Sequence, residues 1–196
     1  MKLILALAVS LALSPTVFAK EMKMDPKKME MMKLWQEAST PGKEHAVLKS
    51  LVGKWKVTTK SWESEKSKPE VTTGISTFKS ILGGRFVQQD FKGSMMGMPY
   101  TGTVMIGYNN VSKKFESSWH DSMSTAIMNF QGTMDESTKV ISEKGEFECP
   151  ARKGPQKMRS EMKIIDKNNM TFVLYMPDMD SGDEYKTMEQ VYKRMN

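Results

Sequence analysis

Histidine, aspartate and serine stand side by side in Trp119–His120–Asp121–Ser122, the residue types of a hydrolase triad. The surrounding residues alternate as a strand does. Phe115, Ser117, Trp119 and Asp121 share one face, and Glu116, Ser118, His120 and Ser122 share the other. Asp121 is therefore separated from His120 and Ser122, and the three cannot act together. No Gly-x-Ser-x-Gly elbow is present to raise a serine nucleophile. What remains is an indole and a hydrogen-bonding acid on one wall, and no catalytic residue is expected.

Metal chemistry has three sets of candidates. Two histidines, His45 and His120, are too few for a zinc site without carboxylates, and His45 is expected on a helix surface. Asp178, Asp180, Asp183 and Glu184 are spaced loosely like a calcium loop, but Gly182 falls fifth where such loops need a sixth-position glycine, so an exposed hairpin loop is expected. The compositional anomaly is methionine, 20 in 196 residues, with Met95, Met96 and Met98 in one short stretch. Thioethers are soft ligands that select Cu(I). Methionine also fills irregular cores and lines adaptable apolar surfaces, and that use is expected to prevail. No cofactor is called for.

The elements that must hold these residues are mostly strands. Asp25 followed by Pro26 is a helix start, with an acidic N-cap and a proline at the first helical position. The helix is expected over 26–38, carrying Met29, Met31, Met32, Leu34 and Trp35 toward an open barrel end, and a shorter helix over 44–51. From Gly53 onward, strands are expected at 55–62, 71–82, 85–93, 100–108, 114–121, 125–134, 139–147, 157–165, 171–176 and 184–195. Turn chemistry separates them: Gly83–Gly84, a loop at 93–99, Asn109–Asn110, Asp135–Glu136–Ser137, Gly154–Pro155, Asp166 to Asn169 and Ser181–Gly182–Asp183. Short strands at regular spacing with no helices between them give a mainly β fold, an antiparallel sandwich or barrel.

The amino-terminal 19 residues read as an export signal: Lys2, an apolar run from Leu3 to Leu13, and a Val17–Phe18–Ala19 cleavage site. The run is too short for a transmembrane helix. The expected division is 1–19 signal peptide, 20–52 helical segment and 53–196 barrel domain. Cys149 is the only cysteine, so no internal disulfide is available and the core must supply stability. Export without disulfides suits a periplasmic or secreted protein. The net charge of +6, +5 once Lys2 leaves, is interspersed and not gathered into a basic stripe with aromatics, which argues against nucleic acid.

Gly53–Lys54–Trp55 on the first strand resembles the Gly-x-Trp signature of lipocalins, and Arg194 stands on the last strand where those proteins often set an arginine across that tryptophan. Through 41–55, Leu82–Gly83–Gly84–Arg85–Phe86, 93–99, Gly107–Tyr108–Asn109, Trp119–His120–Asp121 and Gly132, the chain further resembles the secreted bacterial family called domain of unknown function 1579. That resemblance implies an up-and-down, calycin-type barrel of about ten strands and carries over no catalytic residues. The architecture is also similar to haem barrels of the nitrobindin type, which need a histidine near the chain's end; none follows His120.

Together these readings point to an exported barrel holding one small lipophilic molecule. Arg85 or Gln89 would orient a polar head, and Tyr108, Trp119 and Asp121 would line the wall. Gly53, Trp55, Gly83, Gly84 and Arg194 are expected to be structural. A Cu(I)-binding or oxidant-scavenging role through Met95, Met96 and Met98 is the alternative, and an enzyme on the same barrel is third. The sequence leaves the oligomeric state open. Protein recovered from the compartment it is exported to should have an intact mass beginning at Lys20; a mass that retains Met1 to Ala19 would refute the signal reading.

Overall fold

The computed structural model describes residues 25–196 except 151 and 152; the expected signal peptide lies outside the described residues. Two helices, α1 (Pro26–Ser39) and α2 (Lys43–Ser50), precede ten strands: β1 (Gly53–Ser61), β2 (Glu70–Ile81), β3 (Phe86–Met95), β4 (Met98–Asn109), β5 (Lys114–Asp121), β6 (Met128–Asp135), β7 (Val140–Glu148), β8 (Pro155–Ile164), β9 (Asn169–Pro177) and β10 (Glu184–Arg194). Each strand pairs antiparallel with its sequence neighbour, and β1 pairs with β10 to close the barrel. Closure removes every free sheet edge.

The first closing pair is Trp55 opposite Arg194. The Arg194 guanidinium lies 4.1 Å from the indole centroid. Its Nη1 donates to Val52 O at 2.6 Å, its Nη2 to Ser50 O at 2.7 Å and its Nε to Lys167 O at 2.6 Å. Ser50 ends α2, so a cation meets the carbonyl end of that helix, where the backbone dipole favours it. Trp55 Nε1 donates to Leu51 O at 2.8 Å. Gly53 is required by this arrangement: its φ is +136°, and a Cβ there would come within 2.4 Å of Arg194 Nη1. The lipocalin-like signature is thus a packing constraint that joins β1, β10 and α2.

The core sits at the α2 end. Leu48 of α2 and Leu51 at its C-cap pack with Trp55, Val57, Phe78, Val87, Ile106, Phe115 and Tyr192. Trp55, Phe78 and Tyr192 meet edge to face at 6.3 to 6.5 Å, a favoured aromatic geometry. His45 is buried here and not on a helix surface as expected: its Nδ1 accepts from Gly42 N–H at 3.0 Å and its ring meets Tyr108 edge-on. The imidazole caps an N-terminus that a Gly42 side chain cannot.

Two further expectations need correction. Residues 93–99 are not an open loop. β3 and β4 run on to Met95 and Met98, joined by Met96–Gly97 with φ of 53° and 73°, the paired positive values of a tight primed hairpin turn. Helix α1 does not pack over a barrel end either. None of its residues is buried, and Leu34 and Trp35 are 61% and 71% exposed. It is held at its C-terminal end, where Asn110 Nδ2 lies 2.7 Å from Thr40 O and 3.1 Å from Ala38 O.

Gly53→Ala should cost about 2–4 kcal/mol in urea unfolding, through a strained φ and a displaced Arg194. In the Gly53→Ala/Arg194→Ala double variant the two costs should fall short of additivity, because the clash then has no partner. Full additivity would show that Gly53 and Arg194 are not coupled.

Candidate functional site

The barrel interior is divided. At the α2 end, inward side chains of β1 to β4 and β10 are buried. A chain of polar groups crosses this half. Gln89 Nε2 donates to Ser76 Oγ at 2.6 Å and lies 3.4 Å from the Tyr192 hydroxyl; that hydroxyl donates to Gln190 Oε1 at 2.5 Å, and Gln190 Nε2 donates to Thr59 Oγ1 at 3.2 Å. Burial pushes the Tyr192 phenol well above its ordinary value. Every member has a partner, as a buried network must.

The inward faces of β5 to β9 are mixed: Phe115, Ile141, Met158, Ser160 and Met170 are buried. Alternation and register turn Trp119, Phe130, Phe147, Phe172 and Leu174 inward, and all five stay half-buried. Close approach is built in: a Cβ on Gly102 would overlap the Trp119 ring at 2.2 Å, and one on Gly145 would come within 2.9 Å of the Phe130 ring. Trp119 Nε1 donates to Asp121 Oδ2 at 2.9 Å. Burial, together with the nearby Asp121 carboxylate, pushes the Tyr100 phenol well up. Trp119 and Asp121 therefore share one wall, with His120 exposed on the other side.

The remaining candidates lie elsewhere. Arg85 is exposed at the end of the Leu82–Gly84 turn, where its Nη1 donates to Leu82 O at 3.3 Å. Gln89 is committed to the internal network. Tyr108 belongs to the closed end, its ring 5.0 Å from Phe115. Gly83 and Gly84 take φ of 67° and 85° and turn the chain between β2 and β3. Met95 packs against the core while Met96 and Met98 are exposed, so the three thioethers lie in different environments. Among the described residues no three His, Cys, Asp or Glu side chains converge as metal ligands. The 178–183 segment is a hairpin loop, with Asp178 Oδ1 accepting from the backbone of Asp180 and Ser181.

One residue escaped the sequence reading. Glu143 of β7 faces inward, opposite Gly132 and Ser160. Its Oε2 accepts from Ser117 Oγ at 3.1 Å, and its Oε1 is buried with no hydrogen-bond partner. Desolvation raises its pKa to about 7, only partly countered by the Ser117 hydrogen bond. The available signal was period two along β7: Ile141, Glu143, Gly145 and Phe147 share a face, and one of the four is an acid.

A closed ten-stranded antiparallel barrel, shut at one end by a helix and an arginine–tryptophan stack, defines a lipocalin-like class of fold. Within that class the chain belongs to the family described as protein of unknown function (DUF1579), whose family model matches residues 40–194. The fold is similar to those of several solved structures, two of which follow. Rv2717c from M. tuberculosis has a TM-score of 0.61 at 15% identity, over 80% of this chain and 100% of that one. The S-type phycobiliprotein lyase CPES from Guillardia theta has a TM-score of 0.53 at 9% identity, over 82% and 96% of the two chains. No curated protein matches the chain in sequence.

Glu143 generates a pH dependence. Its folded pKa, about 7, lies above the ordinary 4.5. Folding then favours the protonated form, so its contribution is full below pH 4.5 and is lost as pH rises to 7. The loss is at most about 3 kcal/mol. Asp135, Glu136 and Asp166, whose values are lowered by local hydrogen bonds and lysines, act in a separate acidic window. Urea unfolding of Glu143→Gln should therefore lack the fall seen for the native chain between pH 4.5 and 7; an identical profile would show that Glu143 is not desolvated.

Proposed function

We propose that this chain is an exported binding protein that holds one small lipophilic molecule in the barrel interior. The observation that carries the reading is the divided interior. The α2 end is packed and internally satisfied, while Trp119, Phe130, Phe147, Phe172 and Leu174 turn inward among the buried side chains of β5 to β9 and stay half-buried. Small-molecule sites are lined in this manner, mainly apolar with a few placed polar groups, and a barrel of this size has room for one ligand. The similarity to a phycobiliprotein lyase supports binding as the class of function. The apolar run and Val17–Phe18–Ala19 cleavage site support export. No helix among the described residues is long and apolar enough to cross a membrane.

The mature protein should bind N-phenyl-1-naphthylamine with a saturable fluorescence gain. Phe147→Asp, which places a charge on the apolar wall, should weaken binding by about tenfold or more. Absence of a saturable signal, or equal binding by this variant, would reject the interior as the site.

A further inference from the structure

Among the described residues, none on the inward faces of the strands beside Glu143 supplies a counter-charge. The groups that share its face are Gly132 and Ser160 opposite, Ile141 and Gly145 along β7, and Phe130, Met134, Met158 and Met162 at the diagonals, with Ser117 of β5 beyond β6. On the inward faces of β5, β6, β8 and β9, the one other ionisable group is Asp121, also an acid. Ser117 satisfies Oε2 and leaves Oε1 unpartnered. A buried acceptor without a donor destabilises a fold, and a donor supplied from outside the chain would relieve that cost.

We infer that Glu143 is the polar anchor of the interior site, and that it selects apolar molecules carrying a cationic nitrogen. This rests on the interior-binding reading above and deepens it. An ammonium or amidinium supplies the missing donor and the missing positive charge together, and charge-assisted hydrogen bonds of this kind are among the stronger ones. A ligand offering only acceptors would set lone pairs against the carboxylate. The acid lies among the half-buried aromatics of β6 and β7, so the ligand's apolar body would be covered by Phe130 and its neighbours while the nitrogen reaches Glu143. Binding of the cation stabilises the carboxylate, so a proton held by Glu143 is released to solvent when the complex forms below neutral pH. No bond of the ligand is made or broken.

The test uses the mature chain with two naphthalenes of matched size, 1-naphthylmethylamine and 1-naphthalenemethanol, measured by isothermal titration. At about pH 8 the amine should bind about tenfold more tightly than the alcohol. Its advantage should fall by up to about tenfold for each pH unit below 7, while the alcohol's affinity stays level. Glu143→Gln should bring the amine down to the alcohol, and Ser117→Ala should keep the preference. Equal binding of the two probes by the native chain would overturn the inference while leaving interior binding intact. So would a Glu143→Gln protein that still prefers the amine. Binding of neither probe would overturn both readings. If Glu143→Gln fails to fold, the pH profile of the native chain decides alone.

Discussion

The contact on which the rest of the barrel depends is the one between Arg194, Trp55 and the end of α2. An up-and-down barrel has one seam that is not closed by a short connection between consecutive strands, and here it lies between β1 and β10. The first and last strands are far apart in sequence, so their pairing bears the full entropy of chain closure. Arg194 offsets that cost with three backbone acceptors and an indole face at one point. Because two of those acceptors are Ser50 and Val52, the same side chain fixes α2 under the barrel. The helix brings Leu48 and Leu51 with it, and they complete the core. The seam, the plug and the core thus form one cooperative unit.

That unit explains why the two halves of the interior differ. Near α2 the space is filled by Trp55, Phe78 and Tyr192, and the polar groups of Gln89, Gln190 and Thr59 satisfy one another. No group there needs anything from outside. Elsewhere in the interior, glycines at 102 and 145 give their space to neighbouring rings, and Glu143 Oε1 is buried with no hydrogen-bond partner among the described residues.

Much of this was legible in the residues. The ten strands follow the alternation and turn chemistry closely, because each strand has one buried and one solvated face. That Trp119 and Asp121 share a face followed from period two alone; the hydrogen bond between them did not. The Gly53–Trp55–Arg194 cluster was legible as a resemblance, and the coordinates supply its physical reason. Other features depended on register, which no local pattern encodes. Arg85 lies one residue before β3 and points out of the barrel, while Gln89 lies within it and is tied to a tyrosine 103 positions away. The Met96–Gly97 turn was hidden because methionine is an unusual residue at positive φ. Glu143 went unremarked because a lone acid on a strand looks like any solvated residue until its neighbours across the sheet are known. His45 looked like a surface residue for a similar reason: its capping role depends on a glycine three positions earlier.

Helix α1 has a consequence for motion. It buries none of its residues, and it is moored to the barrel at its last turn through Asn110. Tertiary packing supplies most of the stability of helices in proteins, and a 14-residue helix standing alone in water is marginal. Its amides should exchange with solvent orders of magnitude faster than those of β1 and β10, by unwinding from the Asp25 end toward the mooring. The molecule is thus a slow-opening shell with a fast-fraying arm, and the two clocks meet at Thr40.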